Sequence, residues 1–350
     1  MIRHCRFRTI LCLMLVALTG MFWMSRRVLS PKDDVTAAYA TEDTRTIKER
    51  IGVIEKQTLQ PERLSASERA SIEKSQVARH ATLKRLCPFA LSRRRHGRRR
   101  SGRFRGSPLA ALSFKERYRL LQHIIVDDKH KLLYCYVPKA ACANWKKVIQ
   151  VIEGRYPTFE SIKTTNHSNL NFLINYSRFE IERRLRTYYR FTFVRHPLTR
   201  LVSAYRNKLV EENRSYRDRF GKAIAQKYRR NSTTSGDDVT FAEFIRYLLS
   251  TPVLDMNEHW QPFSLLCQPC IVSYNFIGVY ESLEDEANYV LERSGTSARW
   301  PPQQAFYKPM ADEEVKKLYK SLDSNMIKSL VQKYHLDFSL FGYDPEEFLS

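Results

Sequence analysis

Two segments of this chain repeat one design, and that repetition constrains the fold more than any other feature. The first, Tyr134–Val148, reads YCYVPKAACANWKKV; the second, Phe191–Tyr205, reads FTFVRHPLTRLVSAY. Each passes from an apolar strand through a proline-marked corner with a basic residue into a helix. LLYCYV is continuously apolar, as a strand covered on both faces must be. Pro138 turns the chain, and Lys139 then stands where the next helix opens its unpaired N–H groups, a favourable place for an anion. The small residues Ala140, Ala141 and Ala143 let backbone approach a ligand, as glycines do elsewhere. At the second corner Arg195 ends the strand, Pro197 suits a first helical turn, and Ser203 lies two turns inside. An arginine fork with a hydroxyl clamps a terminal phosphate well. Two such corners in one sheet imply a ligand with two separate anionic groups. There is no G-x-x-x-x-G-K-[ST], so nothing specifies a magnesium nucleoside triphosphate, and a P-loop kinase lacks its Walker signature.

Strand-to-helix alternation predicts an α/β fold with a central parallel sheet flanked by helices and sites at the carboxyl ends of the strands. The two units are Lys131–Val137 with Asn144–Ile152, and Arg190–Val194 with Leu198–Val210. Further helices are expected at Phe179–Tyr188, Phe241–Leu249, Leu283–Arg293 and Glu313–Lys320. Aromatic and aliphatic residues become dense from about Ser113, so the catalytic domain is read as 113–350.

Upstream the chain is different. Arg3, Arg6 and Arg8 precede the uncharged run Thr9–Met24, and Arg26 and Arg27 close it. This reads as a cytoplasmic tail (1–8) and a transmembrane signal anchor (9–25), short but workable in a thin membrane. The alternative is a cleaved signal peptide, but the A-x-A-like Ala38 and Ala40 lie far from the apolar run. Residues 26–112 are polar enough to form a stem. Within it, 84–105 carries ten Lys or Arg and no acid, out of a net charge of +22. That run is a solvated tether, a polyanion-binding patch or a protease-sensitive site. The overall charge favours polyanionic partners. Sequons at Asn166, Asn175, Asn213 and Asn231 together with the anchor favour a lumenal domain and exclude nucleic acid as partner. Of seven cysteines, Cys267 and Cys270 form a lone CxxC, better read as disulfide-forming than as half of a zinc site.

VPKAACANWKKV around Lys139, and FVRHPLTRLVSAYRNK around Arg195 and Ser203, resemble the two nucleotide-binding motifs of the Golgi carbohydrate sulfotransferases. The likeness is to the branch acting on N-acetylgalactosamine O-4 or terminal glucuronate. DDKHKLLYCYVP, GDDVTFAEFIRYLL, MNEHWQPFSLLCQPC, YNFIGVYESLEDEANYVL and YHLDFSLFGY agree, so the resemblance spans Ile125 to Tyr343. GDDVTF, MNEHW, CQPC and LDFSLF look most like the dermatan 4-O-sulfotransferases. The resemblance implies a P-loop-like sulfotransferase architecture in a single-pass type II Golgi membrane protein. It implies 3′-phosphoadenosine 5′-phosphosulfate as donor, no metal, and dermatan or chondroitin as acceptor. Chondroitin 4-O-sulfation, a glycoprotein terminal sugar and a non-enzymatic, membrane-tethered glycosaminoglycan binder are the alternatives.

By the same resemblance, Pro138, Lys139, Ala140, Ala141, Cys142, Ala143 and Asn144 cradle the 5′-phosphosulfate. Arg195, His196, Pro197, Leu198, Thr199, Arg200, Leu201, Val202 and Ser203 hold the 3′-phosphate. Three positions depart from the family pattern: Ala143 stands for Ser or Thr, His196 for an acid, and Thr199 for Glu. Lys139 would steady the departing phosphate, with Lys146 or Lys147 assisting. A general base must take the sugar hydroxyl's proton. His167, in TTNHSNLNFL, is placed first, then His259 in MNEHW, then Glu258. A glycan on Asn166 would crowd His167. Arg183, Arg184, Arg186, Arg206 and Lys208 are candidates for acceptor binding, although helix-surface charge is the simpler reading for most of them.

Overall fold

The computed structural model describes residues 63–95, 107–163, 169–211, 213–229, 234–301 and 310–349. The expected tail and anchor, the basic run beyond residue 95, His167, Asn166 and Asn231 lie outside them. Among the described residues no helix is long and apolar enough to cross a membrane. One compact unit extends from Glu62 to Ser350.

Strands β1 (Ile124–Asp127), β2 (Leu132–Cys135), β3 (Tyr189–Val194) and β4 (Phe276–Val279) lie in that order across one sheet. β2, β3 and β4 are parallel, whereas β1 runs antiparallel to β2. The sheet is therefore mixed, not wholly parallel. The reason is the connection: residues 128–131 are far fewer than the dozen or so that a parallel crossover needs.

β1 and β2 are buried along their whole length. Leu133 and Cys135 point into one core with Leu120, Leu121 and Ile277. Leu132 and Tyr134 point into the other. That second core is aromatic: Trp145 lies 4.8 Å from Phe191, 5.2 Å from Phe193 and 4.9 Å from Trp300 between ring centres. β4 needs Gly278 here, because a Cβ would come 2.2 Å from the Phe193 ring.

The longer helices are α1 (Ala66–Arg95), α2 (Phe114–His123), α3 (Cys142–Ile152), α4 (Arg178–Thr187), α5 (Pro197–Tyr205), α6 (Lys222–Tyr228), α7 (Phe241–Ser250), α8 (Leu283–Arg293), α9 (Asp312–Lys320), α10 (Ser324–Lys333) and α11 (His335–Phe341). Capping boxes start α2 at Ser113 and Glu116, α4 at Ser177 and Glu180, and α7 at Thr240 and Glu243. Beyond α5 the chain continues as a π-helical turn, Arg206–Val210. A third core joins α5, α7, α9 and α10 around Leu201, Phe244, Trp260 and Tyr319.

α1 is built from residues that composition assigns to a stem, yet it packs on the sheet. β4 is an edge strand whose backbone needs partners. Gln76 supplies both, its Nε2 donating to the Ile277 carbonyl and its Oε1 accepting from the Ile277 N–H, each at 2.9 Å. Arg79 donates to the same carbonyl at 2.7 Å and pairs with Glu286. The disulfide Cys87–Cys270 fixes the far end of α1. A second, Cys135–Cys267, ties β2 to the same CxxC. The two CxxC cysteines thus take separate distant partners, and Cys142 is the free thiol among the described residues.

Candidate active site

Both corners open on one cavity of about 440 Å³ at the carboxyl ends of β2 and β3. The loop from β2 into α3 uses left-handed backbone at two non-glycine residues, Lys139 (φ 72°) and Ala141 (φ 60°). Glycine would adopt these angles freely; Lys and Ala do so at a cost of about 1 kcal/mol each. The result is a phosphate-loop path without glycine, ending at the N-terminus of α3 with its unpaired N–H groups.

The expected donor residues divide sharply. Pro138, Lys139, Ala141, Cys142, Ala143, Asn144, Arg195 and Ser203 line the cavity, and Ala140 is buried behind the loop. Ala143 stands on the wall, so the departure from Ser or Thr removes a hydroxyl from the cavity itself. Of the stretch 196–202 none is on the lining. Leu198, Leu201 and Val202 belong to the third core, since only one side of a helix can face the cavity. Thr199 acts indirectly, its Oγ1 accepting from Arg195 Nε at 3.2 Å. Arg195 also donates to the Lys139 carbonyl at 3.2 Å and stacks 4.2 Å from the Tyr280 ring centre, so it bridges the corners.

Arg200 is 1% exposed. It donates to the carbonyls of Pro138 (3.0 Å), Gln261 (2.8 Å) and Glu258 (3.0 Å). It therefore shapes the site from behind. His196 caps α5, its Nδ1 accepting from the Leu198 N–H at 3.3 Å while Nε2 meets the Asp344 carbonyl at 2.9 Å. The ring is packed between Phe338, Tyr343 and Phe348, facing away from the cavity toward the C-terminal segment.

Burial lowers the His196 pKa from its ordinary 6.5, against the opposing pull of the Asp344 carbonyl, Glu347, Glu281 and Asp344. The unfolded state then binds more protons, so the neutral cap contributes its full stability above pH about 6.5 and loses it progressively below. We expect the melting temperature to fall between pH 7 and pH 5, and a His196→Asn cap to flatten that slope. An unchanged slope in the variant would remove His196 as the cause.

The cavity holds more charge than the two corners alone supply. Lys146 is 4% exposed, its Nζ 3.8 Å from the Tyr136 ring centre. Lys147 lies instead over Phe159, off the lining. Lys208, on the π-helical turn, lies 4.4 Å over Tyr216. Burial, then the charges of Lys208 and Arg195, bring the Lys139 ammonium down to about 8, with Cys142 and Glu211 opposing.

His259 and Glu258 complete the lining. His259 Nδ1 lies 2.8 Å from Asn257 Oδ1 and 3.1 Å from the Tyr216 hydroxyl; donation to the Asn257 oxygen puts the proton on Nδ1 and leaves the Nε2 lone pair available. Burial, with Lys208, Lys139 and Arg200, pushes its pKa down to about 3, against Glu258. Burial works to raise Glu258, but His123, His259 and Lys146 hold its carboxylate well below the usual range. Its Oε2 accepts from the Tyr136 hydroxyl at 3.2 Å and lies 2.9 Å from His123 Nε2.

The other expected candidates lie elsewhere. Arg184 forks onto Asp128 at 2.9 and 3.0 Å, and Arg183 and Arg186 share its helix, off the cavity lining. Arg206 pairs with Glu211 at 3.1 Å. Asn175 is exposed, and Asn213 is half-buried with its Oδ1 capping Tyr216. Sequence reasoning missed Tyr136, Asn207, Tyr216 and Tyr280, which also line the cavity. Tyr280 had a usable signal: FIGVYESLEDEA is a third strand-to-helix corner, formed by β4 and α8. Among the described residues no group of His, Cys, Asp or Glu is arranged to hold a metal ion.

A model described as the sulfotransferase family matches residues 122–344. Carbohydrate sulfotransferase 14 of Danio rerio is 46% identical over 240 residues, covering 67% of this chain and 65% of that protein. Carbohydrate sulfotransferase 11 of Mus musculus is 39% identical over 243 residues, covering 65% and 69%. Carbohydrate sulfotransferase 9 of Homo sapiens is 37% identical over 243 residues, covering 65% and 54%. The match thus spans slightly less than two thirds of the first relative's length. No solved structure matches significantly.

Proposed function

Because the chain belongs to the sulfotransferase family, we propose that it transfers a sulfuryl group from 3′-phosphoadenosine 5′-phosphosulfate to O-4 of N-acetylgalactosamine in dermatan or chondroitin. The observation that carries this reading is the convergence of Lys139 and Arg195, with Ser203, on one cavity from neighbouring parallel strands. A donor with an anion at each end matches a site with a cation at each corner.

The donor, when bound, supplies an activated sulfuryl group on a phosphate leaving group. Lys139 sits at the N-terminus of α3, where its ammonium can neutralise charge on the departing phosphate oxygen. Arg195, oriented by Thr199 and Tyr280, holds the distal phosphate beside Ser203. His259 Nε2 takes the acceptor hydroxyl's proton. Burial, then Lys208 and Lys139, keep the imidazole neutral, and it becomes a stronger base once anionic charge offsets the lysines. Glu258 is a poorer base because His123, His259 and Lys146 stabilise its ionised form.

The lumenal, single-pass type II Golgi setting belongs to the same proposal, supported by the uncharged run 9–24 and by two disulfides that suit an oxidising compartment. Dermatan is favoured over chondroitin by the GDDVTF, MNEHW, CQPC and LDFSLF resemblance. Labelled donor and desulfated dermatan or chondroitin, supplied to the full-length chain, test it. Transfer should favour the iduronate-rich acceptor, and His259→Ala should lower kcat by 10²- to 10⁴-fold while donor affinity stays near wild type. No transfer by the wild type would end this reading. A loss on His167→Ala with none on His259→Ala would move the base to His167.

A further inference from the structure

A second cavity, of about 290 Å³, adjoins the first, and Glu258 lines both. Its size is near the lower end for ligand pockets. The other walls come from α2 (Arg119, Gln122, His123), from Arg219 and Phe220, and from Asp255–Asn257. No residue with an expected role in donor binding lies on it.

Its charges are unequally matched. Asp255 pairs with Lys115, and Glu258 lies 2.9 Å from His123 Nε2; Arg119 feels the charge of both carboxylates without contacting either as an ion pair. The two guanidinium groups make no ion pair among the described residues. Arg119 donates one hydrogen bond, to the Leu254 carbonyl at 3.3 Å. Arg219 is exposed, its Cζ 5.0 Å from the Phe220 ring centre. Most guanidinium donors therefore remain available beside an apolar ring. Phe220 is itself held edge-on against Trp260, with centroids 4.9 Å apart.

We propose that this second cavity is the subsite for the uronic acid next to the reacting sugar, with Arg119 and Arg219 binding its carboxylate and Phe220 lying against its ring. The inference rests on the function proposed above. A polymer residue presenting its hydroxyl to His259 must pass its neighbour along the chain, and Glu258, the residue next to His259, lines both cavities. Guanidinium forks fit carboxylates in a paired geometry that an ammonium does not reproduce. A neutral neighbouring sugar would leave both forks unsatisfied, so this cavity selects an acidic polymer over a glycoprotein terminal sugar.

The test is direct binding by titration calorimetry, using the full-length chain. The probes are a desulfated chondroitin oligosaccharide and the same oligosaccharide with its carboxyls reduced to alcohols. Wild type should bind the reduced form at least tenfold more weakly. Arg119→Gln and Arg219→Gln should each weaken binding of the acidic form about tenfold and leave the reduced form unaffected. Arg219 is exposed, so its variant should fold even if Arg119→Gln does not; unchanged affinity for adenosine 3′,5′-bisphosphate checks this. Wild-type indifference to carboxyl reduction, no oligosaccharide binding at all, or variants that still discriminate would each overturn the subsite. Sulfate transfer, followed in parallel, separates the two proposals. Carboxylate-dependent binding without transfer keeps the subsite and ends the proposed reaction. Transfer that neither arginine affects does the reverse.

Discussion

Lys139→Ala should reduce kcat by two to three orders of magnitude and leave the melting temperature nearly unchanged. The size follows from the role: a cation aimed at charge that develops only in the transition state contributes to kcat more than to donor affinity. The unchanged stability follows from local geometry. Alanine can occupy the left-handed backbone at φ 72° about as well as lysine, and the Lys139 carbonyl that anchors Arg195 survives. Burial already lowers the ammonium to about 8, so removing it also removes a desolvation cost. The same value sets a pH dependence. For free enzyme, kcat/KM should decline above pH about 8 as Lys139 loses its proton, and the alanine variant should lack that limb. A variant with wild-type kcat, or an unaltered alkaline limb, would remove Lys139 from the reaction.

What was legible in the sequence was local. The corners at Lys139 and Arg195 are each written in about fifteen consecutive residues, and strand burial, proline placement and helix N-termini follow from short-range rules. α8 appears where its amphipathic pattern predicts it. The features that escaped are long-range or polar. α1 has too little apolar surface to announce itself, because it holds β4 through Gln76 and Arg79 across some 200 residues of sequence. β1 is four residues long, and only its short connection to β2 makes the sheet mixed. Disulfide partners 183 and 132 residues apart cannot be matched by spacing. Within the second motif, residues 195–203 read as one binding stretch, yet helix geometry sends Ser203 to the cavity and Leu201 to the core. His259 is the reverse case. Its role depends on Asn257 and on charges from Lys139 and from α5 and the π-helical turn after it, which carry Arg200 and Lys208, parts of the chain far from it in sequence.

Arg200→Ala, in contrast to Arg195, should fail by unfolding. Both arginines lie in the second motif, and sequence alone gives them the same anion-binding role. Arg195 reaches the cavity; Arg200 is sealed behind it, spending its fork on three carbonyls from two other segments. Those carbonyls join the Lys139 loop, α5 and the strand of chain that carries His259. Truncation leaves three buried acceptors unpaired, a void, and Asp337 without a positive neighbour. Asp337 is fully buried, and burial already raises its pKa to about 6 against its backbone hydrogen bonds from Phe263 and Ser264. Orphaned buried groups of this kind together cost about 3–5 kcal/mol, a fall in melting temperature on the order of 10 °C. Arg200→Lys should recover little, because one ammonium cannot reproduce a fork that meets three acceptors. Arg195→Gln should melt near wild type and lose donor affinity instead. Calorimetry on the three variants, with affinity for adenosine 3′,5′-bisphosphate, separates the roles: an Arg200→Ala protein that melts within two or so degrees of wild type while losing donor affinity would make Arg200 a ligand-binding residue after all.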